Sequence, residues 1–188
     1  SNCITTYTGK HFDPTHPEKE RICIDDIAHA LSLLCRGNGH VKTFFFRRTA
    51  LYPRAKEAMA RGLPRRLALA ALLHDASECY MSDVPRPFKK KPSRISATGR
   101  KDFFASYMKN IWHGLSAKEE QQLKNIDNDL LWYDLKFLLN EEPPQPKPSV
   151  CVPIDYTVRP FQEVEDEYRM LFKQLRADIH NSDLLDHD

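Results

Sequence analysis

The sequence predicts a single all-α domain built as a bundle of five to seven helices. A chain of 188 residues has room for one substantial core, and one domain is the expectation at this length. Apolar residues recur at helical spacing in several segments of the chain. Proline and glycine interrupt the chain between those segments, where connections are expected.

Residues 1–24 are polar and lack a helical period, which predicts an N-terminal loop segment with one short extended piece at most. Asp25 is a candidate N-cap for the first helix. Its apolar positions repeat at helical spacing: Ile27, Leu31 and Leu34. Gly37 and Gly39 should end this helix, because glycine is favoured just past a helix C-terminus.

Further helices are predicted from about Pro53 to Arg61 and from Pro64 onward, where proline suits a first helical turn. Two longer helices should cover residues 95–113 and 117–140, and Ser116 with Glu119 forms a capping box for the second.

The main domain is predicted to cover residues 25–140, followed by a proline-rich connector over 141–160. A C-terminal helix over 161–180 should pack back on the same domain. Its apolar residues share one face: Phe161, Val164, Tyr168, Leu171, Phe172 and Leu175.

The charge balance and the cysteines restrict the function classes. A net charge of +2 does not favour a nucleic-acid partner. Five cysteines without a CxxC pair indicate reduced thiols and a cytoplasmic protein. No apolar run reaches the ~20 residues of a membrane helix, so no membrane partner is expected.

Chemistry-bearing residues concentrate in "LLHDASECY" and the loop after it. Glu78 lies four residues after His74 and three after Asp75, so one helix edge should carry three metal-binding or proton-handling groups, and Asp83 follows in the loop. Imidazole with carboxylates suits a divalent transition metal. Adjacent helical residues point ~100° apart, so His74 and Asp75 reach one ion only in a groove between helices. The alternative is a structural role for His74, in the core or as a cap.

A second candidate acid occurs in "LKNIDNDLLWYDLKFLL". Asp127 lies beside the apolar residues Ile126 and Leu130, and an acid that turns inward there needs a partner. The alternative is a carboxylate at the boundary of a solvated face.

These motifs resemble the HD-domain metal-dependent phosphohydrolases, in particular the small branch with bacterial 5′-deoxynucleotidases and dATP triphosphohydrolases. "TTYTGKHFDP", "CIDDIAHALSLLCR", "NGHVKTF", "LALAALLHDASE", "SDVPRP" and "IDNDLL" occur in the order of that branch and span most of residues 4–140. The resemblance implies an HD-domain helical bundle that hydrolyses nucleotide phosphomonoesters or phosphoanhydrides with metal-activated water.

The resemblance also implies roles for individual residues. His74, Asp75 and Asp127 match metal ligands, for Mn, Co, Ni, Fe or Zn. Glu78 and Asp83 match acidic residues that act in proton transfer and substrate positioning. Arg36 matches an arginine near the nucleotide phosphate, and Lys89 is a candidate for similar work. Relatives in that branch often dimerise, and the sequence shows no sustained heptad seam, so a homodimer stays open.

The sequence departs from this pattern at "FFFRRTALYPRA", where the family has a further histidine in a stretch resembling "FSVAQHS". Ungapped alignment of the flanks puts Ala50 at the position of that histidine. Val-Ala-Gln-His-Ser, encoded GTC GCA CAG CAC TC, reads Arg-Arg-Thr-Ala-Leu when shifted by one base behind a C. We therefore interpret "RRTAL", residues 47–51, as an out-of-frame version of that segment, with the frame restored near Ala55.

Three functions stay open on the sequence alone. The first is a metal-dependent nucleotide phosphohydrolase, impaired by Ala50, unless His29 or His40 compensates for the missing ligand. The second is a catalytically degenerate HD-fold protein that binds a nucleotide or a partner. The third is a nucleic-acid-binding domain that uses Arg47, Arg48, Arg54 and "FKKKPSR", which the near-neutral charge disfavours.

Overall fold

The structure of the protein, a computed structural model, describes residues 2–42, 47–82 and 115–185, with side-chain positions outside 47–51 and 180–185. The predicted helix over 95–113 lies outside the described residues. Asp83 and Lys89 lie outside them as well.

Six α-helices form the described part of the fold. They are α1 Ile24–Leu33, α2 Arg47–Ala60, α3 Arg65–Leu73, the single turn α4 Glu78–Met81, α5 Ala117–Leu138 and α6 Phe161–Leu185. A two-stranded antiparallel hairpin precedes them, with β1 Ile4–Thr5 paired to β2 His11–Phe12. The prediction of a single helical domain is confirmed, and the hairpin is a small addition to it.

Helix α3 lies at the centre of the core. All its residues from 67 to 73 are buried, since their alanine and leucine side chains face α2 on one side and α6 on another. The Tyr168 hydroxyl of α6 donates a hydrogen bond to the Leu72 carbonyl at 3.1 Å. The end of α3, where the motif begins, is therefore held on two sides.

The predicted apolar face of the C-terminal helix is confirmed. Its buried members are Val164, Tyr168, Leu171, Phe172 and Leu175. This face packs on α1 and α3, and the helix continues to Leu185. In the described ranges, none of the helices has both the length and the apolar character that crossing a membrane requires.

The predicted ends of the first helix are wrong. Helix α1 begins at Ile24, one residue before the proposed cap, and the Asp25 carboxylate instead accepts a hydrogen bond from Arg169 Nε at 2.8 Å. The helix ends at Leu33 because Leu34 takes an extended conformation. Gly37 follows later, in a 3₁₀ helix over Arg36–Gly39.

The second helix also differs from its prediction. Helix α2 begins at Arg47, so Pro53 lies inside it, although proline removes one backbone donor. Arginine, alanine and leucine between 47 and 52 are good helix formers, which allows the earlier start. The capping box of α5 is confirmed, since the Glu119 N–H donates to Ser116 Oγ and the Ser116 N–H donates to the Glu119 carboxylate.

Candidate functional site

The motif histidine and aspartate lie in a tight turn after α3. The backbone N–H groups of Ala76 and Glu78 donate to carbonyls three residues earlier, at 3.0 and 2.9 Å. This spacing is that of a 3₁₀ turn, so the expectation that His74, Asp75 and Glu78 share one α-helical edge is wrong. The α-helix predicted from Pro64 onward is therefore interrupted by this turn between Leu73 and Glu78.

The turn leaves His74 and Glu78 in different environments. The His74 side chain is 45% exposed, whereas Glu78 as a residue is 2% exposed. A carboxylate this deeply buried is not part of a solvated surface, which removes the plainest alternative to a functional role for Glu78. That role stays a prediction.

Arg54 of α2 joins the predicted acids. Its Nη1 donates to Asp75 Oδ2 at 2.6 Å, and its Nη2 forms an ion pair with Asp127 Oδ1 on α5. His74 Nδ1 lies 2.8 Å from Asp75 Oδ1. The three predicted metal ligands therefore belong to one chain of contacts, with the guanidinium between the two carboxylates.

The arginine and its two acids are shielded from solvent. The side chains of Arg54, Asp75 and Asp127 are 6%, 11% and 19% exposed. Burial acts to lower the pKa of Arg54, but the carboxylates of Asp75 and Asp127 outweigh it and raise that pKa above its ordinary value. A permanent positive charge consequently lies between the acids.

This arrangement does not fit a metal ion. In the described ranges, no three His, Cys, Asp or Glu side chains are grouped so that they could hold one. Asp75 and Asp127 instead direct oxygens at the Arg54 guanidinium. Residue 50, where the resemblance expects a histidine, lies on α2 about one helical turn before Arg54.

A cleft of about 460 Å³ lies beside these residues. His74 and Asp127 line it together with Glu120 and Lys124 of α5. Its volume is within the range of small-molecule sites, and a lysine beside carboxylates gives it groups of both signs.

Arg36 is a buried member of a second ionic cluster. Its Nη2 lies 2.8 Å from Asp134 Oδ2, and the Tyr156 hydroxyl donates to Asp134 Oδ1 at 3.2 Å. Burial and the Asp134 carboxylate raise the pKa of Tyr156. Asp134 therefore already engages the Arg36 guanidinium, and the phosphate contact expected of Arg36 stays a prediction.

The two histidines considered as replacement ligands differ in their surroundings. His29 Nδ1 lies 3.0 Å from Glu165 Oε2 of α6, and its ring stacks on Tyr7 at 3.6 Å between centroids. His40 is exposed after the 3₁₀ helix. The contacts of His29 connect α1 to α6 and to the N-terminal segment, so they give it a structural role.

Sequence reasoning missed Arg54 as a member of the site and missed Glu57 altogether. Glu57 is fully buried and accepts hydrogen bonds from the backbone N–H groups of Cys151 and Val152. Both residues adjoin small buried ones, Ala55 and Ala58. A charged residue within such an alanine-rich helical face was the available signal, because a buried charge needs a partner.

The chain resembles two curated bacterial proteins of unknown function. It is 39% identical over 89 residues to the uncharacterized protein YfdR of Escherichia coli strain K12, which is 46% of each chain. It is 36% identical over 86 residues to the uncharacterized protein RCAP_rcc00048 of Rhodobacter capsulatus, 44% of each chain. The chain thus spans about half the length of the curated relatives it matches, and no family model matches it.

Proposed function

We propose that this chain has the architecture of an HD-type nucleotide phosphohydrolase whose hydrolytic activity is impaired in the present sequence. The motifs follow one another along residues 4–140 in the same order as in that family, which supports the resemblance. The observation that carries the proposal is the convergence of Asp75 and Asp127, from separate elements, on a single cationic group. In a metal-dependent phosphohydrolase, two carboxylates that meet in this way beside a cleft would hold the ion that activates water.

The cofactor that the resemblance implies is a divalent transition metal, Mn, Co, Ni, Fe or Zn, which when bound activates water and withdraws charge from a phosphoryl oxygen. Arg54 holds the corresponding place in the present arrangement, and we assign no hydrolytic step to it. The impairment therefore has two proposed sources, the alanine at position 50 and the arginine at position 54.

The nucleotide is proposed to lie in the cleft lined by His74 and Asp127. Lys124 supplies a positive charge at its wall, where a phosphate group would gain a charge-assisted hydrogen bond. Glu78 and Asp83 are proposed for proton transfer and sugar positioning, and Arg36 and Lys89 for phosphate contact. Whether the substrate is a mono- or triphosphate depends on pocket shape.

A second candidate function is nucleotide or partner binding without hydrolysis. The buried Arg54 favours it, because a guanidinium in the place of a metal ion cannot generate hydroxide from water. A cytoplasmic location is proposed for both candidates, because the five cysteines include no CxxC pair. Arg54 itself is only 5% exposed, which argues against its use on a nucleic-acid surface.

The test restores the segment around position 50 in a background that lacks the competing arginine. The variant carries Arg54→Met together with five changes: Arg47→Val, Arg48→Ala, Thr49→Gln, Ala50→His and Leu51→Ser. We expect metal-dependent phosphate release from deoxynucleoside mono- or triphosphates well above that of the unaltered chain.

The matched control has every change except Ala50→His and should stay slow. Equal release by the variant and this control would overturn the assignment of position 50. Nucleotide binding by the metal-loaded variant without any phosphate release would favour the second candidate.

A further inference from the structure

We propose that Arg54 is an internal cation that occupies the space between Asp75 and Asp127 and excludes a divalent metal ion from it. This inference rests on the proposed function for the view that the two acids belong to a metal site. It assigns to Arg54 a role that neither the motif nor its resemblance contains.

The position of Arg54 supports this role. Its two terminal nitrogens contact different carboxylates, Asp75 in the turn after α3 and Asp127 on α5. A guanidinium presents its N–H groups as a rigid planar fork, so one side chain can connect two acids at once. The group therefore does what a bridging metal ion would do, and it draws the turn and two helices together.

The charges in this cluster explain why the arginine excludes a metal ion. Arg54 does not give up its place by losing a proton, because a guanidinium stays protonated in proteins. A divalent ion between the acids would face that fixed positive charge in a poorly solvated space. Binding of the ion therefore requires the guanidinium to move out.

Asp75 has both oxygens engaged in the arginine-bound arrangement. Oδ2 accepts from Arg54, and Oδ1 lies 2.8 Å from His74 Nδ1. A metal ion bound at Oδ2 would therefore have to displace Arg54 from Asp75. Arg54 Nε has no hydrogen-bond partner among the described residues, so the arginine occupies this space without being fully satisfied by it.

The test measures Mn²⁺ binding directly, by the loss of the free-ion electron paramagnetic resonance signal, in the full chain without nucleotide. We expect Arg54→Met to bind Mn²⁺ about 10- to 100-fold more tightly than the unaltered chain. Arg61→Met is the matched control, because Arg61 directly follows the same helix but pairs with Glu57 and Asp129. It should leave Mn²⁺ binding unchanged.

A second pair of variants locates the ion and guards against misfolding. Adding Asp127→Asn to Arg54→Met should abolish the gain in Mn²⁺ affinity. Arg54→Lys keeps a charge but cannot connect both acids, so it should show a smaller gain, and it serves as the test if Arg54→Met fails to fold. Equal Mn²⁺ affinity in the unaltered chain and the folded Arg54 variants would overturn the inference, as would a gain that survives Asp127→Asn.

The inference and the proposed function fail in different ways. If Arg54→Met gains Mn²⁺ affinity but the restored variant releases no phosphate, the inference stands and the proposed hydrolysis does not. If the unaltered chain binds Mn²⁺ tightly and hydrolyses nucleotides, the inference is wrong and the proposed function stands without its impairment.

Discussion

Helix α2 buries two charged residues, Glu57 and Arg54, whose hydrogen-bond partners differ in kind. The Glu57 carboxylate accepts hydrogen bonds from the backbone N–H groups of Cys151 and Val152 at 2.9–3.0 Å, and from Arg61 Nε at 2.8 Å. Arg54 contacts two side-chain carboxylates and leaves Nε without a partner in the described part of the chain. Both carboxylate oxygens of Glu57 therefore accept hydrogen bonds, whereas Arg54 keeps one donor unsatisfied among the described residues.

The kind of partner that a buried charge has indicates its role. Backbone donors cannot be exchanged for a metal ion, so Glu57 fixes the connector to α2 and has a structural role. Carboxylates can exchange one cation for another. Counted over Arg54, Asp75 and Asp127 alone, one positive charge faces two negative ones, and this imbalance suits a divalent ion better than an arginine.

The largest expected effect is that of Arg54→Met on stability when metal ions are chelated. Removing the cation leaves Asp75 and Asp127 close together in a poorly solvated space, which should cost about 3 kcal/mol in the free energy of unfolding. Urea denaturation in the presence of a chelator measures it. Adding Asp75→Asn and Asp127→Asn should recover most of the loss, and a loss that persists unchanged would mean that the arginine stabilises by packing.

Glu57→Gln should cost about 2 kcal/mol, because it weakens charge-assisted hydrogen bonds to the connector. Here, unlike at position 54, neutralising the charged partner by Arg61→Met should recover nothing, since the backbone donors remain. Glu20→Gln, at an exposed glutamate, is the control and should leave the urea midpoint unchanged. If adding Arg61→Met restored the stability lost in Glu57→Gln, the sites of Arg54 and Glu57 would not differ in this respect.

The unaltered chain and Glu57→Gln should differ in how their stability depends on pH. Burial raises the pKa of Glu57, but the backbone N–H of Cys151 and the Arg61 side chain outweigh burial and lower it below the ordinary 4.5. A lowered folded-state pKa stabilises the fold above the unfolded-state value and loses this contribution as the pH falls through the folded-state value. The deficit of Glu57→Gln at pH 7 should therefore shrink in acid below about pH 4.5. A constant deficit from pH 7 to pH 3 would contradict this origin.

The smallest effect on stability is expected at Asp129, which contacts Arg61 rather than Glu57. Asp129 pairs with Arg61 at 2.8 Å, with both side chains partly exposed. Such pairs contribute little, so Asp129→Asn should change the free energy of unfolding by less than about 0.5 kcal/mol. A loss as large as that of Glu57→Gln would show that Arg61 depends on Asp129 for its place beside Glu57.

Much of the helical fold follows from local signals in the sequence. The face of α6 and the capping box of α5 depend on residues three or four positions apart, and both are confirmed. The first residues of helices were harder to predict from the sequence, because tertiary contacts such as that of Asp25 with Arg169 compete with capping. The meeting of Asp75 and Asp127 was expected from the resemblance, which aligns motifs that are distant in the chain.

Arg54 could not be identified as the bridge from sequence alone. Its partners come from α5 and from the turn after α3, so no local spacing connects the three residues. The turn itself was also missed, since "LLHDASECY" has no glycine or proline to signal a break. Glu57 was missed for the same reason as Arg54, because its partners lie in the connector.

The most direct test of the account is a pair of crystal structures grown with MnCl₂, one of the unaltered chain and one of Arg54→Met, with anomalous data to locate manganese. We predict the Arg54 guanidinium between Asp75 and Asp127 in the unaltered chain, and a manganese peak contacting both carboxylates in the variant. A manganese peak between the two acids of the unaltered chain, with Arg54 turned away, would contradict the account.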